Sequence, residues 1–197
     1  PNEGEYRGLR DLVDDKAPKG LPDGAQMFLE ELGGAETFCD AFEILWTQMV
    51  AEVVRLNREA LAQGHSPLVF PQGTRSKRLS KGHVGMAQMS QLLGADIVPV
   101  GCNGSDGVYP GNSPFAKGGR IVYRIGDPLT LDGPEIGAYR VKAPFSPFTR
   151  EAMGRHAKDF EAITAAVMER INALLDPEYQ FSEDRASDGV QGVDRFV

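Results

Sequence analysis

The sequence predicts an α/β domain in which a central mixed, largely parallel sheet is flanked by helices. Three observations support this class: a long segment with helical apolar spacing, two short apolar runs on either side of a shorter helical segment, and a later alternating run. Two strands joined by a helix fit a right-handed βαβ crossover, which places the strands parallel in one sheet. A chain of 197 residues is long enough for one domain with its own core.

The N-terminal third contains the longest helical pattern. Residues 1–24 are polar and interrupted by Gly and Pro, which predicts an irregular segment. From 35 to 62 the apolar residues recur at steps of three and four, which predicts a long helix with one face in the core. That face consists of Phe38, Phe42, Leu45, Trp46, Met49, Val53 and Leu56. Gly33-Gly34 precedes the helix, and Gly64 is a typical C-terminal glycine.

The predicted βαβ unit occupies the middle of the chain. Residues 66–70 form an apolar run without polar alternation, which is typical of a buried strand. A helix is predicted over 84–93, and residues 96–101 form a second buried strand. Pro99 within that strand indicates an edge or strand-end position.

The C-terminal half predicts a loop, a strand and a helix. Residues 103–118 are rich in Gly, Asn, Ser and Pro and form a long loop. The alternating run 119–126 predicts a strand, and 149–175 predicts the last helix. We expect one domain over 1–176, followed by an acidic, mobile tail over 177–197.

Charge and composition exclude several classes of function. The net charge of −7 argues against a nucleic-acid-binding protein. The two cysteines, Cys39 and Cys102, have no metal-ligand spacing, so neither a zinc site nor a disulfide framework is expected. No run is apolar enough for a spanning helix. Between Glu59 and Asp96 there is no acidic residue, and this window holds four cations: Arg75, Lys77, Arg78 and Lys81. An acidic protein with one cationic window is expected to bind an anion there.

The candidate site follows the strand predicted at 66–70. Ligands bind where strands of an open α/β sheet end, and the chain leaves this strand through Pro71-Gln72-Gly73-Thr74-Arg75. Glycine allows close approach of the backbone, Thr74 offers a hydroxyl, and the Arg75 guanidinium matches phosphate oxygens. These residues predict a site for a phosphate ester. A solvated basic loop without a ligand is the alternative.

Four blocks of the chain resemble one enzyme family. Phe70-Pro71-Gln72-Gly73-Thr74-Arg75-Ser76 is similar to the phosphate-binding block, usually Phe-Pro-Glu-Gly-Thr-Arg-Ser, of the glycerol-3-phosphate and lysophosphatidic acid acyltransferases. Lys81-Gly82, Ile97-Val98-Pro99-Val100 and Gly119 to Pro128 resemble later blocks of that family, in the same order and with similar spacing. The resemblance covers about residues 60–132.

The resemblance implies an activity and its partners. A fatty acyl group would move from acyl-CoA or acyl-carrier protein to a hydroxyl of glycerol phosphate or a lysophospholipid. Gln72, Gly73, Thr74, Arg75 and Lys81 would bind the acceptor, and neither a cofactor nor a metal is implied. Such an enzyme works in phospholipid synthesis or remodelling, in the cytoplasm and peripherally on the cytoplasmic face of a membrane.

The chain departs from the family pattern at two places. Gln72 replaces the usual glutamate, so this position loses a charge and either selects the acceptor or only supports the loop. The histidine general base of the family, with an aspartate five residues later, is absent. The residues five places after His65, His83 and His156 are Phe70, Gln88 and Glu161.

The missing base leaves two interpretations open. We expect the histidine block to lie upstream of Pro1, so that the chain holds a domain without its N-terminal part and no catalytic residue of its own. The alternative is a non-catalytic relative that binds phospholipid or phosphate. Among the histidines, His83 is closest in sequence to the basic loop and could assist in binding phosphate.

Overall fold

The structure, a computed structural model, describes residues 3–13, 20–73, 76–110 and 115–186. Over these ranges the chain is mainly helical, and its sheet consists of two antiparallel strands. The predicted α/β class, with a central, largely parallel sheet, is therefore wrong.

The helices are the elements that the sequence predicted best. The described elements, in chain order, are α1 Glu3–Val13, α2 Asp23–Glu31, α3 Ala35–Ala62, α4 Gly85–Leu93, β1 Val100–Asn103, α5 Ser105–Val108, β2 Val122–Ile125, a single 3-10 turn Gly137–Tyr139, and α6 Arg150–Ala173. The helices predicted over 35–62, 84–93 and 149–175 are confirmed as α3, α4 and α6. The irregular segment predicted for 1–24 is wrong, because α1 and the start of α2 lie in it.

Local signals explain where these helices begin and end. The Thr149 hydroxyl oxygen accepts a hydrogen bond from the Ala152 N–H (3.2 Å) at the start of α6. Gly64 and Gly94 adopt positive φ of 81° and 68° after α3 and α4, a conformation that favours glycine and stops a helix. Such caps depend on neighbours in sequence, which is why sequence patterns reveal them.

Residues 66–70 do not form the predicted buried strand. They pair with no strand in the part of the chain that the structure describes, and Leu68 and Phe70 are 76% and 77% exposed. The parallel pairing with 96–101 is absent, because β1 pairs with β2 in antiparallel register from Val100↔Ile125 to Asn103↔Val122. An apolar run shows β-propensity, but it does not specify a partner, and a strand needs one.

The other two predicted strands are present only in part: β1 overlaps the run 96–101 at Val100 and Gly101 and continues to Asn103, and β2 is shorter than the run 119–126. Within 96–101, Ile97 forms an isolated bridge with Leu129, and the continuous ladder begins only at Val100. Pro99 separates the two because it has no N–H to donate, although its carbonyl accepts from the Gly126 N–H (2.9 Å). Strand β2, Val122–Ile125, lies toward the C-terminal end of the run predicted over 119–126.

The described chain divides into two compact units with a boundary after Leu56. The first unit contains α1, α2 and most of α3, and its core is small: Leu9, Ala25 and Leu29 are buried, with Leu12, Leu21 and Phe38 packed against them. A series of ring contacts continues along α3, from Phe38 to Phe42 (6.2 Å between centroids) and from Phe42 to Trp46 (6.4 Å).

Beyond Phe38, which packs against the core of the first unit, the apolar face of α3 is exposed rather than buried. No residue of this helix is fully buried, and Leu45, Met49 and Leu56 are 54%, 51% and 49% exposed. The prediction that this face belongs to the core is therefore wrong for its residues from Phe42 to Leu56. Helical periodicity identified the face correctly, but periodicity does not show what covers it.

The second unit, from Asn57 onward, contains the larger core. Helices α4 and α6 pack against the segment 129–141, and nine buried side chains form one cluster: Ala87, Leu129, Leu131, Ile136, Val141, Ala152, Phe160, Ile163 and Val167. A second cluster joins Leu79, Met168, Leu175 and Tyr179.

The segment after α6 contributes to the second cluster. Tyr179 is buried in it, and Phe181 packs against it. Residues 187–197 of the predicted acidic tail lie outside the described residues, and the domain boundaries 1–176 and 177–197 stay a prediction. Among the described helices, none combines the length and the apolar character needed to cross a bilayer.

Candidate functional site

The segment from Phe70 to His83, here called the basic loop, is closed at its base by a backbone hydrogen bond. The His83 N–H donates to the Pro71 carbonyl (2.7 Å), which brings the two ends of the loop together. A tight turn follows the first end, where the Gly73 N–H donates to the Phe70 carbonyl (3.1 Å). Closure at its base fixes the loop to the start of α4.

Hydrogen bonds also fix the inner side of the basic loop. The Gln72 side-chain amide donates to the Ser80 hydroxyl (3.0 Å), and Ser80 is buried. The Leu79 N–H donates to the Tyr179 carbonyl (2.8 Å), and the Leu79 side chain is buried beside Tyr179. Gln72 therefore spans the loop from one side to the other, which is the supporting role that the sequence left open for it.

Gly73 and His83 lie against each other. Gly73 has a φ of +67°, and a Cβ at this position would be 3.0 Å from His83 Cδ2 and 3.3 Å from Nε2. This contact brings the imidazole to the glycine that the sequence assigned to phosphate binding. The sequence offered only a weak signal for His83, its position two residues after Lys81, the last of the four cations.

Two of the predicted site residues, Thr74 and Arg75, lie outside the described residues. They follow Gly73 directly in the sequence. Lys81 is exposed and makes no ion pair with the residues that the structure describes. Gln72, Gly73 and Lys81 all belong to the same closed loop.

The charge of Lys77 is partly neutralised by Asp106, which also binds the Tyr179 hydroxyl. Its Nζ lies 3.9 Å from Asp106 Oδ2 and 5.8 Å from the centre of the Tyr179 ring. The Tyr179 hydroxyl donates to Asp106 Oδ1 (2.8 Å). That hydrogen bond, with burial as the second cause, raises the pKa of Tyr179 far above its ordinary value. Tyr179 is therefore a neutral donor at physiological pH.

Gly82 attaches the end of the basic loop to α6. A Cβ on this residue would lie 2.9 Å from Met168 Sδ and 3.0 Å from Thr164 Cγ2, and both of those residues are buried. Only glycine fits so close to the helix without a shift of its neighbours. The Lys81-Gly82 step therefore has a packing reason in addition to any role in binding.

Histidines and carboxylates are the other side chains in the described part of the chain that can carry chemistry. No group of three His, Cys, Asp or Glu side chains in this part is arranged to hold a metal ion. His156 lies 3.7 Å from Asp159 on α6, but its ring contacts Phe145 and Phe160. His83 is the histidine that contacts the basic loop. Comparison with family models, with curated proteins and with solved structures finds no match for this chain.

Proposed function

We propose that this chain carries the acceptor-binding part of a glycerolipid acyltransferase. The basic loop would hold the phosphate of glycerol phosphate or of a lysophospholipid while an acyl group arrives from acyl-CoA or acyl-carrier protein. Gly73, Thr74 and Arg75 would contact the phosphate, Lys81 would add positive charge, and Gln72 would keep the loop in shape.

One observation carries this proposal. The segment that resembles the phosphate-binding block of these enzymes, residues 70–76, lies in a loop closed at its base by the hydrogen bond between His83 and Pro71. The described part of this loop offers an exposed cation, Lys81, and a glycine of positive φ, Gly73, and both suit the binding of an oxyanion. The acceptor phosphate fits this chemistry, since its oxygens accept charge-assisted hydrogen bonds.

The general base is proposed to come from residues outside this chain. None of His65, His83 and His156 has an aspartate five residues later, so the usual pair is not formed from them. For the same reason a non-catalytic phosphate- or phospholipid-binding protein is the second candidate. In that case, the basic loop would bind the same ligand without transferring an acyl group to it.

Two measurements on the full gene product separate the candidates. Release of free thiol from acyl-CoA in the presence of glycerol-3-phosphate or lysophosphatidic acid measures transfer, and calorimetric titration with the same acceptor measures binding. Both signals are expected for the acyltransferase, and binding without thiol release for the second candidate. Absence of acceptor binding would contradict both candidates. Lys81→Ala should weaken acceptor binding, because it removes positive charge from the loop. Lys158→Ala, which removes an exposed cation of α6, is its control.

Peripheral contact with a membrane is proposed through the basic loop. Its cations would be attracted to anionic headgroups, whereas α3 carries the acidic residues Glu36, Asp40, Glu43 and Glu52, which anionic lipids repel. Sedimentation with vesicles of mixed anionic and neutral phospholipid tests this contact. Binding should fall with rising salt and with Lys81→Ala, and vesicles of neutral lipid alone should not bind.

A further inference from the structure

A second polar site lies near the end of α4 that is remote from the basic loop. An open cleft of about 510 Å³ separates the last turn of α4 from the segment 140–145. Gln91 is on its α4 side, six residues after Gly85 and about 9 Å further along the helix axis. The cleft therefore does not depend on the function proposed for the basic loop.

Gln91 is buried, and only half of its amide is used. Its Oε1 accepts a hydrogen bond from the Val141 N–H (3.1 Å), while its Nε2 has no partner among the described residues although it is shielded from solvent. Exchanging the amide oxygen and nitrogen of Gln91 would place two donors, the NH₂ group and the Val141 N–H, against each other. The orientation of the Gln91 amide is therefore fixed. A buried donor without an acceptor is uncommon in native proteins and calls for an explanation.

Gln88, the neighbouring glutamine on α4, has a partner for both ends of its side-chain amide. Gln88 is also buried, and its Oε1 accepts from the Phe148 N–H while its Nε2 contacts Met153 Sδ at 3.2 Å. Both glutamines thus hold the backbone of the segment between 141 and 148. Only Gln91 has a donor left over, and it lines the cleft.

Two cations line the same cleft. The Arg140 side chain is 25% exposed, and its Nε lies 3.5 Å from Asp132 Oδ1, at the upper limit for a hydrogen bond. Asp132 is 81% exposed, so water competes for this carboxylate, and the ion pair holds Arg140 only weakly. Lys142 is the second cation, and it is exposed.

We propose that this cleft binds a small organic anion, with its carboxylate or phosphate between the Gln91 amide and the Arg140 guanidinium. An oxyanion at the inner wall of the cleft would accept from the amide donor that lacks a partner, after a local shift that uncovers Gln91 Nε2, and would replace Asp132 beside Arg140. Leu92, Pro144 and Phe145 provide an apolar wall for the body of the ligand. Lys142 favours a negative ligand over a neutral one.

The binding test uses three aromatic probes that differ in their charged group. Benzoate and phenyl phosphate carry the two oxyanions on the same ring, and benzylamine carries a cation on it. Proton–nitrogen correlation spectra of the full chain should show saturable shifts of the Gln91 side-chain NH₂ and the Arg140 Nε–H with one or both anions. The stronger of the two identifies the preferred oxyanion, and benzylamine should cause no such shift.

Two variants test the assigned residues. Arg140→Gln should raise the Kd of the preferred anion roughly tenfold or more, whereas Arg170→Gln, at another weakly paired arginine, should change it less than about twofold. Gln91→Glu keeps the acceptor for the Val141 N–H but replaces the donor with a negative group, so it should also weaken binding. Slow hydrogen exchange of the Val141 amide, as in the wild type, shows that the hydrogen bond and the segment are kept.

Several outcomes would overturn the cleft as an anion site. These are equal binding of benzylamine, anion-induced shifts confined to the basic loop, no saturable shift with either anion, and an Arg140→Gln variant with unchanged affinity. Each of them leaves the acyltransferase proposal as it stands, because acceptor binding by the basic loop is measured separately.

Discussion

Gly82 shows how closely a single residue can couple the candidate site to the core. Gly82→Ala would place a methyl group within 3.0 Å of the Met168 and Thr164 side chains, which are buried on α6. We expect a loss of about 1–3 kcal/mol in the free energy of unfolding, typical of an overpacked core. Urea denaturation measures this loss. Gly107→Ala is the matched control, since nothing lies within 4 Å of its added Cβ.

Arg75 is the residue on which the proposed phosphate contact depends most. Arg75→Ala should weaken acceptor binding by about 1.5–3 kcal/mol, the usual contribution of a hydrogen bond to a charged group. Arg75→Lys should restore only part of the affinity, because the two-pronged geometry of the guanidinium is lost. Calorimetric titration with glycerol-3-phosphate measures both variants. Wild-type affinity in both would exclude the role assigned to Arg75.

Tyr179 makes the free energy of unfolding of the second unit depend on pH in the alkaline range. The hydrogen bond to Asp106 raises the pKa of Tyr179 in the folded state above the ordinary value of 10.0. This stabilisation is fully present below pH 10 and is lost as the pH rises toward the folded-state pKa. Tyr179→Phe should therefore unfold with a weaker pH dependence than wild type above pH 10. Parallel curves from urea titrations at several pH values would rule this coupling out.

At the scale of elements, Asn103 connects the sheet to the end of α6. Its Oδ1 accepts from the Asp176 N–H (2.7 Å), and its Nδ2 donates to the Leu174 carbonyl (3.3 Å). Arg124, across the ladder on β2, donates to the same carbonyl (2.9 Å). Backbone groups at a helix end need such partners, so this contact stabilises the C-terminus of α6.

Asn103→Ala should therefore destabilise the second unit. The side chain is 2% exposed, so its removal leaves the Asp176 N–H without its acceptor. We expect a loss of about 1–3 kcal/mol, measured by thermal or urea unfolding. Far-ultraviolet circular dichroism should show fraying of α6 before the main transition. A loss below about 0.5 kcal/mol, the usual range for surface positions, would contradict this contribution.

The elements also show what could be predicted from the sequence. Helices α3, α4 and α6 were predictable because spacing and capping residues such as Thr149 and Gly94 act locally. The strand predicted at 66–70 was not, because a strand is defined by its partner, and β1 pairs with β2 instead. Helix α1 was missed because its segment is polar overall and contains Gly4 and Gly8, although its few apolar residues do recur at helical spacing.

The candidate site was predictable only as a list of residues. The cationic window and the glycine at position 73 are visible in the sequence, as is the resemblance of residues 70–76 to a phosphate-binding block. The contact between His83 and Gly73, the bridge from Gln72 to Ser80, and the contact of Gly82 with α6 are not visible. Each of the three is a contact that forms on folding, and the spacing of residues along the chain does not predict it.

At the scale of the whole molecule, the two units differ strongly in their cores. Among the described residues, the first buries three apolar side chains in its cluster, and the second buries nine in its larger one. Stability follows buried apolar surface, so the first unit should open more easily. Amide hydrogen exchange should be faster for α2 than for the central turns of α6. Equal protection of the two helices would contradict this difference.

The exposed apolar face of α3 has a practical consequence for work with this protein. Dyes such as anilinonaphthalene sulfonate fluoresce when they adsorb to apolar surface, and they are used to diagnose loosened, partly folded states. Phe42, Leu45, Trp46 and Met49 offer such surface in the folded state. The folded protein should therefore give a strong dye signal by itself, and that signal would be mistaken for partial unfolding unless a Leu45→Lys, Met49→Lys variant is run beside it.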